Sequence, residues 1–214
     1  MKTIKMNVYT IDELKELNKT AFNNVIDHEK QYLIEASFNN CDYDIKDMLK
    51  NDYGIDEKIL DDYFYSISYC QGDGFCFTAS NLLSYTRLSK KENMNSFEKW
   101  IIGNLSGIKL MDVMEYLNCN YNLKIIKKSH MYSHAHTCAL DYEYFYSSDN
   151  PEVLDRINNT IDELCNNLYE NVYLDICYAL ESYLYTFYDI DDDEVIESIK
   201  NNDFLFFSDG SLYQ

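Results

Sequence analysis

The chain has 214 residues, 46% of them hydrophobic and 15% aromatic with 21 tyrosines, which excludes an acid-rich disordered polymer and suffices for one sizeable core, or for a domain with a helical appendage. One proline and six glycines leave few breakers, favouring long helices over a loop-rich sandwich. The formal charge of −19 is uneven: residues 151–214 hold 15 acidic and 2 basic residues, a net of −13, and the first 150 residues hold −6. Such a field repels nucleic acid and anionic membrane and speeds encounter with basic surfaces.

Residues 3–9 read as a short strand. Thr10 follows as an N-cap with Glu13 three positions on, the capping-box spacing, so a helix is expected next. Leu14, Leu17, Ala21, Val25 and Tyr32 keep helical spacing, with an end or break at Asn39-Asn40 and a further helical turn over Asp44–Leu49. The block Tyr65-Ser66-Ile67-Ser68-Tyr69-Cys70-Gln71-Gly72-Asp73-Gly74-Phe75-Cys76-Phe77-Thr78 reads as strand, tight turn and strand, because the glycines flanking Asp73 supply positive φ where a turn needs it. Short helices are expected over 96–117. A second hairpin, 121–127 and 137–146, should join the first in one antiparallel sheet. From Pro151, suited to the first helical position, Leu154, Ile157, Ile161, Leu164, Leu168, Val172, Ile176, Leu180, Leu184 and Phe187 form a helical stripe, ~57 Å long if unbroken, with a break expected near Asn171 or Asp175. Asp191-Asp192-Asp193-Glu194 opens another short helix, its acids placed for the helix dipole. Residues 203–213 close the chain as strand, Asp-Gly turn and strand. The pattern is α+β: a small antiparallel sheet of hairpins packed against long helices. Residues 1–150 are read as its core and 151–214 as an acidic helical segment packed on it as one domain.

Seven cysteines, an odd number with no Cys-x-x-Cys pair, point to reduced and mostly buried thiols rather than a disulfide framework. Cys70 and Cys76 flank the first turn, where burial explains them better than nucleophilic catalysis. Met1 to Met6 lack the apolar region of a secretory signal, and no stretch has the apolar length of a membrane span, so a soluble cytoplasmic protein is expected. His134 and His136 lie two apart, on one side of a strand, and with His130 and Asp73 or Asp141 have the makings of a metal site; no third ligand is assigned and no cofactor is called. Lysines and arginines number 18, and their best cluster, Arg87, Lys90, Lys91, Lys124, Lys127 and Lys128, is too small to argue for direct nucleic-acid binding. Glu152, Asp155, Asp162, Glu163, Glu170, Glu181 and Asp189, together with Asp191, Asp192 and Asp193, leave the apolar stripe and are read as partner-binding. Tyr169, Tyr173, Tyr178, Tyr183, Tyr185 and Tyr188 are candidate interface anchors, some of them necessarily core. Gln71 and Asp73 complete the set if the turn itself touches the partner.

The start Val8-Tyr9-Thr10-Ile11-Asp12-Glu13-Leu14, the Gln71-Gly72-Asp73-Gly74 block, the segment Tyr132-Ser133-His134-Ala135-His136-Thr137 and the ending Phe206-Phe207-Ser208-Asp209-Gly210 together resemble a family of small phage and prophage proteins sometimes labelled antitoxin of a toxin-antitoxin stability system. The resemblance implies an accessory gene of a mobile element acting in an infected or lysogenic bacterial host. Residues 79–120 and the acidic helix after Pro151 are longer than that pattern. With the acidic rod, the expectation is a non-catalytic, anti-CRISPR-like inhibitor whose acidic surface imitates nucleic acid toward a basic host defence protein. An antitoxin-like partner of a toxin is the alternative, and a small metal-dependent enzyme at the paired hairpins a second.

Overall fold

The computed structural model describes residues 7–83, 94–99, 122–143 and 151–213. The fold is α+β. The described chain forms two compact units, one of residues 1–42 with 185–214 and the other of residues 43–184, so the boundary expected at 150/151 falls inside the second.

In the first unit the capping box forms: the Thr10 side chain accepts from the Glu13 amide while Glu13 reaches back to the Thr10 amide, opening α1 (Ile11–Leu17). The chain breaks at Asn18, whose side chain accepts from the Ala21 amide and donates to the Ser208 carbonyl, and then enters α2 (Lys19–Tyr53). No break occurs at Asn39-Asn40. Asn40 donates to the Ala36 carbonyl one turn back, and Cys41, Ile45 and Leu49 continue the buried spacing of Ile34, so the expected second helix is the same helix. Of the expected N-terminal strand the described part shows one bridge, Tyr9 to Phe206, and residues 3–6 lie outside the described residues. Ile11, Leu14, Ala21, Phe22, Val25, Ile26, Val195, Ile199 and Phe206 make this unit's core.

The second unit is built on a four-stranded antiparallel meander in the order β1 (Leu60–Ser66), β2 (Gly74–Leu83), β3 (Asn122–Lys127), β4 (Cys138–Glu143). The two hairpins thus share one sheet, as expected. Tyr65 faces Phe75 and Phe64 faces Cys76 across the first, and Lys127 faces Cys138 across the second. β2 lies inside the sheet and buries Gly74, Phe75, Cys76 and Phe77 in succession, losing the alternation of a one-sided strand. Helix α3 (Pro151–Leu168) continues through a π-helical stretch (Tyr169–Tyr173) into α4 (Leu174–Tyr185), so the irregularity anticipated near Asn171 is a locally widened, underwound segment within a continuous helical path. Leu168, Val172, Ile176, Leu180 and Leu184 are all buried, as their spacing requires.

Back in the first unit, α5 (Asp192–Asn201) opens with a second capping box, Asp191 with Glu194. The short pair β5 (Leu205–Phe206) and β6 (Leu212–Tyr213) closes the chain around the expected Asp209-Gly210 turn. Ser96–Lys99 are helical, and the rest of the helices expected up to 117 lies outside the described residues, as does the end of the second hairpin at 144–146.

Candidate functional site: the two hairpin tips and helix α4

The tip of the first hairpin is organised by one carboxylate. Asp73 accepts from the Ser68 amide at 2.6 Å, the Cys70 amide at 2.8 Å and the hydroxyls of Ser66 and Ser68 at 3.1 Å. Burial pushes its pKa up, but the hydrogen bonds from the Cys70 and Ser68 amides and the two hydroxyls outweigh that and hold it below the usual carboxylate range. Asp73 therefore spends its acceptors on the turn. Gln71 beside it is exposed.

Gly72 (φ 98°) and Gly74 (φ 145°) do more than permit the turn. A β-carbon at Gly72 would run into the ring of Tyr132 from the second hairpin tip. One at Gly74 would lie 2.9 Å from His134 Cβ and 3.2 Å from Glu181 Oε2 on α4. The two glycines are thus the floor on which Tyr132, His134 and a helix carboxylate settle. The Ser133 amide donates to the Gly72 carbonyl at 3.4 Å, tying the tips together. Tyr132 stacks on His134 with centroids 5.7 Å apart and planes 20° apart.

His134 precedes and His136 lies within a 3-10 turn, Ala135–Thr137, so the pair is not on a strand as expected, yet the turn still leaves the two rings with centroids 6.0 Å apart and planes tilted by 60°. His136 Nε2 lies 3.1 Å from the Tyr178 hydroxyl and Nδ1 3.5 Å from the Tyr169 hydroxyl, so both ring nitrogens face phenols. His134 Nδ1 is buried and has no hydrogen-bond partner among the described residues. No group of three metal-ligating side chains occurs among the described residues.

The predicted acids separate by place. Glu152, Asp155, Asp162, Glu163 and Glu170 are exposed along α3 and the π-helical stretch, in the second unit. Asp189, Asp191, Asp192 and Asp193 are exposed in the first unit, where the Asp191 carboxylate accepts from the Glu194 amide at 2.9 Å as an N-cap. Glu181 is the acid that meets the turn among the described helix residues. It is half-buried, and its carboxyl is raised above the usual range by burial and then by the negative charge of Asp73. Of the six candidate tyrosine anchors, Tyr178 is exposed (46%), Tyr169, Tyr183, Tyr185 and Tyr188 are half-buried, and Tyr173 is core, its ring packed at a tilt against Phe77 and its phenol pushed up by burial. Sequence reading missed Met131 (77% exposed) and the exposed faces of Tyr69 and Tyr132, which together with Tyr178 give the tips an apolar rim.

Behind the tips lies a buried thiol. Cys76 is fully buried, with Lys127 Nζ at 3.3 Å and the Thr137 hydroxyl at 3.6 Å from its sulfur, and Lys127 also lies 3.9 Å over the Phe64 ring. A hydrogen bond from Cys138, then those from Thr137 and Lys127, lower the Cys76 pKa to about 6 against the opposing effect of burial. Of the expected basic cluster, Lys127 is therefore directed to the thiol and Lys124 pairs with Asp141 at 3.4 Å. Arg87, Lys90 and Lys91 lie outside the described residues. All six described cysteines are free thiols, and five are buried.

The profile of a domain of unknown function, DUF8835, matches residues 38–184. The chain belongs to the DUF8835 family. The matched DUF8835 span ends at Leu184, where the second compact unit also ends, and it holds both hairpin tips, the π-helical stretch and Glu181. The α1 capping box and the terminal Phe206–Gly210 segment lie outside it. No curated protein and no solved structure matches the chain. No described helix of this DUF8835 protein is long and apolar enough to cross a membrane.

Proposed function

We propose that this protein is a non-catalytic inhibitor of a basic, nucleic-acid-binding host defence protein, acting in the manner of an anti-CRISPR protein encoded by a phage or related mobile element. One observation carries the reading: a helical path from Pro151 to Tyr185 exposes Glu152, Asp155, Asp162, Glu163, Glu170 and Asp175, and ends with Glu181 against a turn rimmed by exposed Tyr and Met side chains. A rigid rod carrying carboxylates can occupy a groove built for phosphates, and adjoining aromatic and Met side chains supply the apolar contact that charge alone does not. The path is about 50 Å long, giving roughly one carboxylate per 7 Å, sparser than the phosphates of a duplex. The protein then imitates chosen phosphate positions rather than a whole duplex. The phage-family resemblance supplies the defence context.

The test is restoration of plasmid transformation in cells carrying an active CRISPR nuclease, across a panel of nucleases, with purified pairs checked by gel filtration. Wild-type protein should protect against at least one nuclease and co-elute with it. Charge reversal at Asp155, Asp162, Glu163 and Glu170 should abolish both effects. Unchanged inhibition by the reversed protein would overturn the reading, and neutralisation of a toxin encoded next door, without any effect on nucleases, would replace it with the antitoxin reading.

A further inference from the structure

We infer that Glu181, Tyr132 and the paired glycines form a subsite for one arginine side chain of the partner protein. This rests on the proposed basic partner and specifies how that partner is gripped.

Glu181 Oε2 lies over Gly74, 3.2 Å from where a β-carbon there would sit, and the side chain is half-buried, so the carboxylate is directed at the turn instead of into open solvent. No cationic side chain pairs with it among the described residues. The charge that acts on it is another carboxylate, Asp73, whose own acceptors are taken up by the turn. A half-buried carboxylate with a like charge beside it and no cation is electrostatically uncompensated, and a docking cation relieves both conditions. Next to it, Tyr132 lies on Gly72 and stacks on His134, leaving 39% of its surface exposed, while Tyr178 is held by His136. His134 Cβ and Glu181 Oε2 abut the same point above Gly74, so the aromatic stack and the carboxylate belong to one surface. Carboxylate plus aromatic face matches a guanidinium, which is planar, forks onto carboxylate oxygens and lies on π-faces, better than a compact, strongly hydrated ammonium.

The experiment titrates full-length protein with three capped pentapeptides, Gly-Gly-X-Gly-Gly with arginine, citrulline or lysine at X, followed by calorimetry or amide chemical shifts. The arginine peptide should bind saturably and the citrulline peptide about tenfold or more weaker, as expected for loss of a charge-assisted bond. Glu181→Gln should lose about tenfold of arginine-peptide affinity with an unchanged thermal transition, and Tyr132→Leu about threefold. Equal binding of the arginine and citrulline peptides, an unaffected Glu181→Gln, or lysine binding as tightly as arginine would overturn the assignment. Failure of the two proposals is separable. A nuclease inhibited equally by wild type and Glu181→Gln sinks the subsite alone, whereas an arginine subsite in a protein that inhibits no nuclease sinks the functional reading alone.

Discussion

Replacing Gly72 by alanine puts a methyl group into the Tyr132 ring at a φ of 98°, a backbone region L-residues rarely adopt. Both effects destabilise, together by about 2–3 kcal/mol. Thermal denaturation should show the transition falling by several degrees, whereas Gln71→Ala, at an exposed side chain, should stay within about 0.5 kcal/mol of wild type. Asp73 permits a pH test. Its folded pKa is depressed, so its stabilisation is complete above the unfolded carboxylate pKa and is lost as pH falls through the lower folded value. Asp73→Asn should be less stable than wild type at pH 7 by about 1–3 kcal/mol, since hydrogen bonds to a charged acceptor become neutral ones. The gap should close in acid; a constant gap from pH 7 to pH 2 in urea titrations would show that the charge is irrelevant to the turn.

At the scale of the strand, Cys76 on β2 is gripped by Lys127 on β3 and by Cys138 and Thr137 from the β4 side, so the thiol links three strands through side chains. A thiol pKa depressed on folding stabilises the native state above the unfolded thiol pKa and loses that contribution as pH falls through about 6. Stability measured by denaturant should therefore rise between about pH 6 and the ordinary thiol range near 8.5. Cys76→Ala should lack the rise, and an identical pH profile for the two proteins would contradict the arrangement. Among helices, the two capping boxes are separate elements of the first unit: Thr10→Ala and Asp191→Ala should each cost about 1 kcal/mol, read as a lowered denaturation midpoint.

For the whole molecule, the charge of −19 governs how it meets other molecules more than how it folds. If carboxylates occupy a groove made for phosphates, the association rate and affinity must fall with ionic strength, because a basic partner's attraction is screened over about 10 Å at 0.1 M salt. Affinity for the responsive nuclease should drop about tenfold or more between 50 and 200 mM salt. Salt-independent binding would assign the affinity to the apolar rim of Tyr69, Met131, Tyr132 and Tyr178 instead.

The sequence by itself determined what depends on near neighbours: the Thr10 capping box, the acidic start of α5, the turn glycines, the two hairpins, and the buried stripe from Leu168 to Leu184, since capping, turn chemistry and periodicity act over a few residues. It misplaced the helix break, because Asn39-Asn40 looks like punctuation and only packing of Cys41, Ile45 and Leu49 carries α2 past it. It also set His134 and His136 on a strand, where the chain instead winds into a 3-10 turn. The meeting of Gly72 with Tyr132, of Gly74 with Glu181, and of Cys76 with Lys127 joins residues 51 to 107 positions apart. Tertiary structure decided those, because no local periodicity records which side chain will fill the space a distant glycine leaves open.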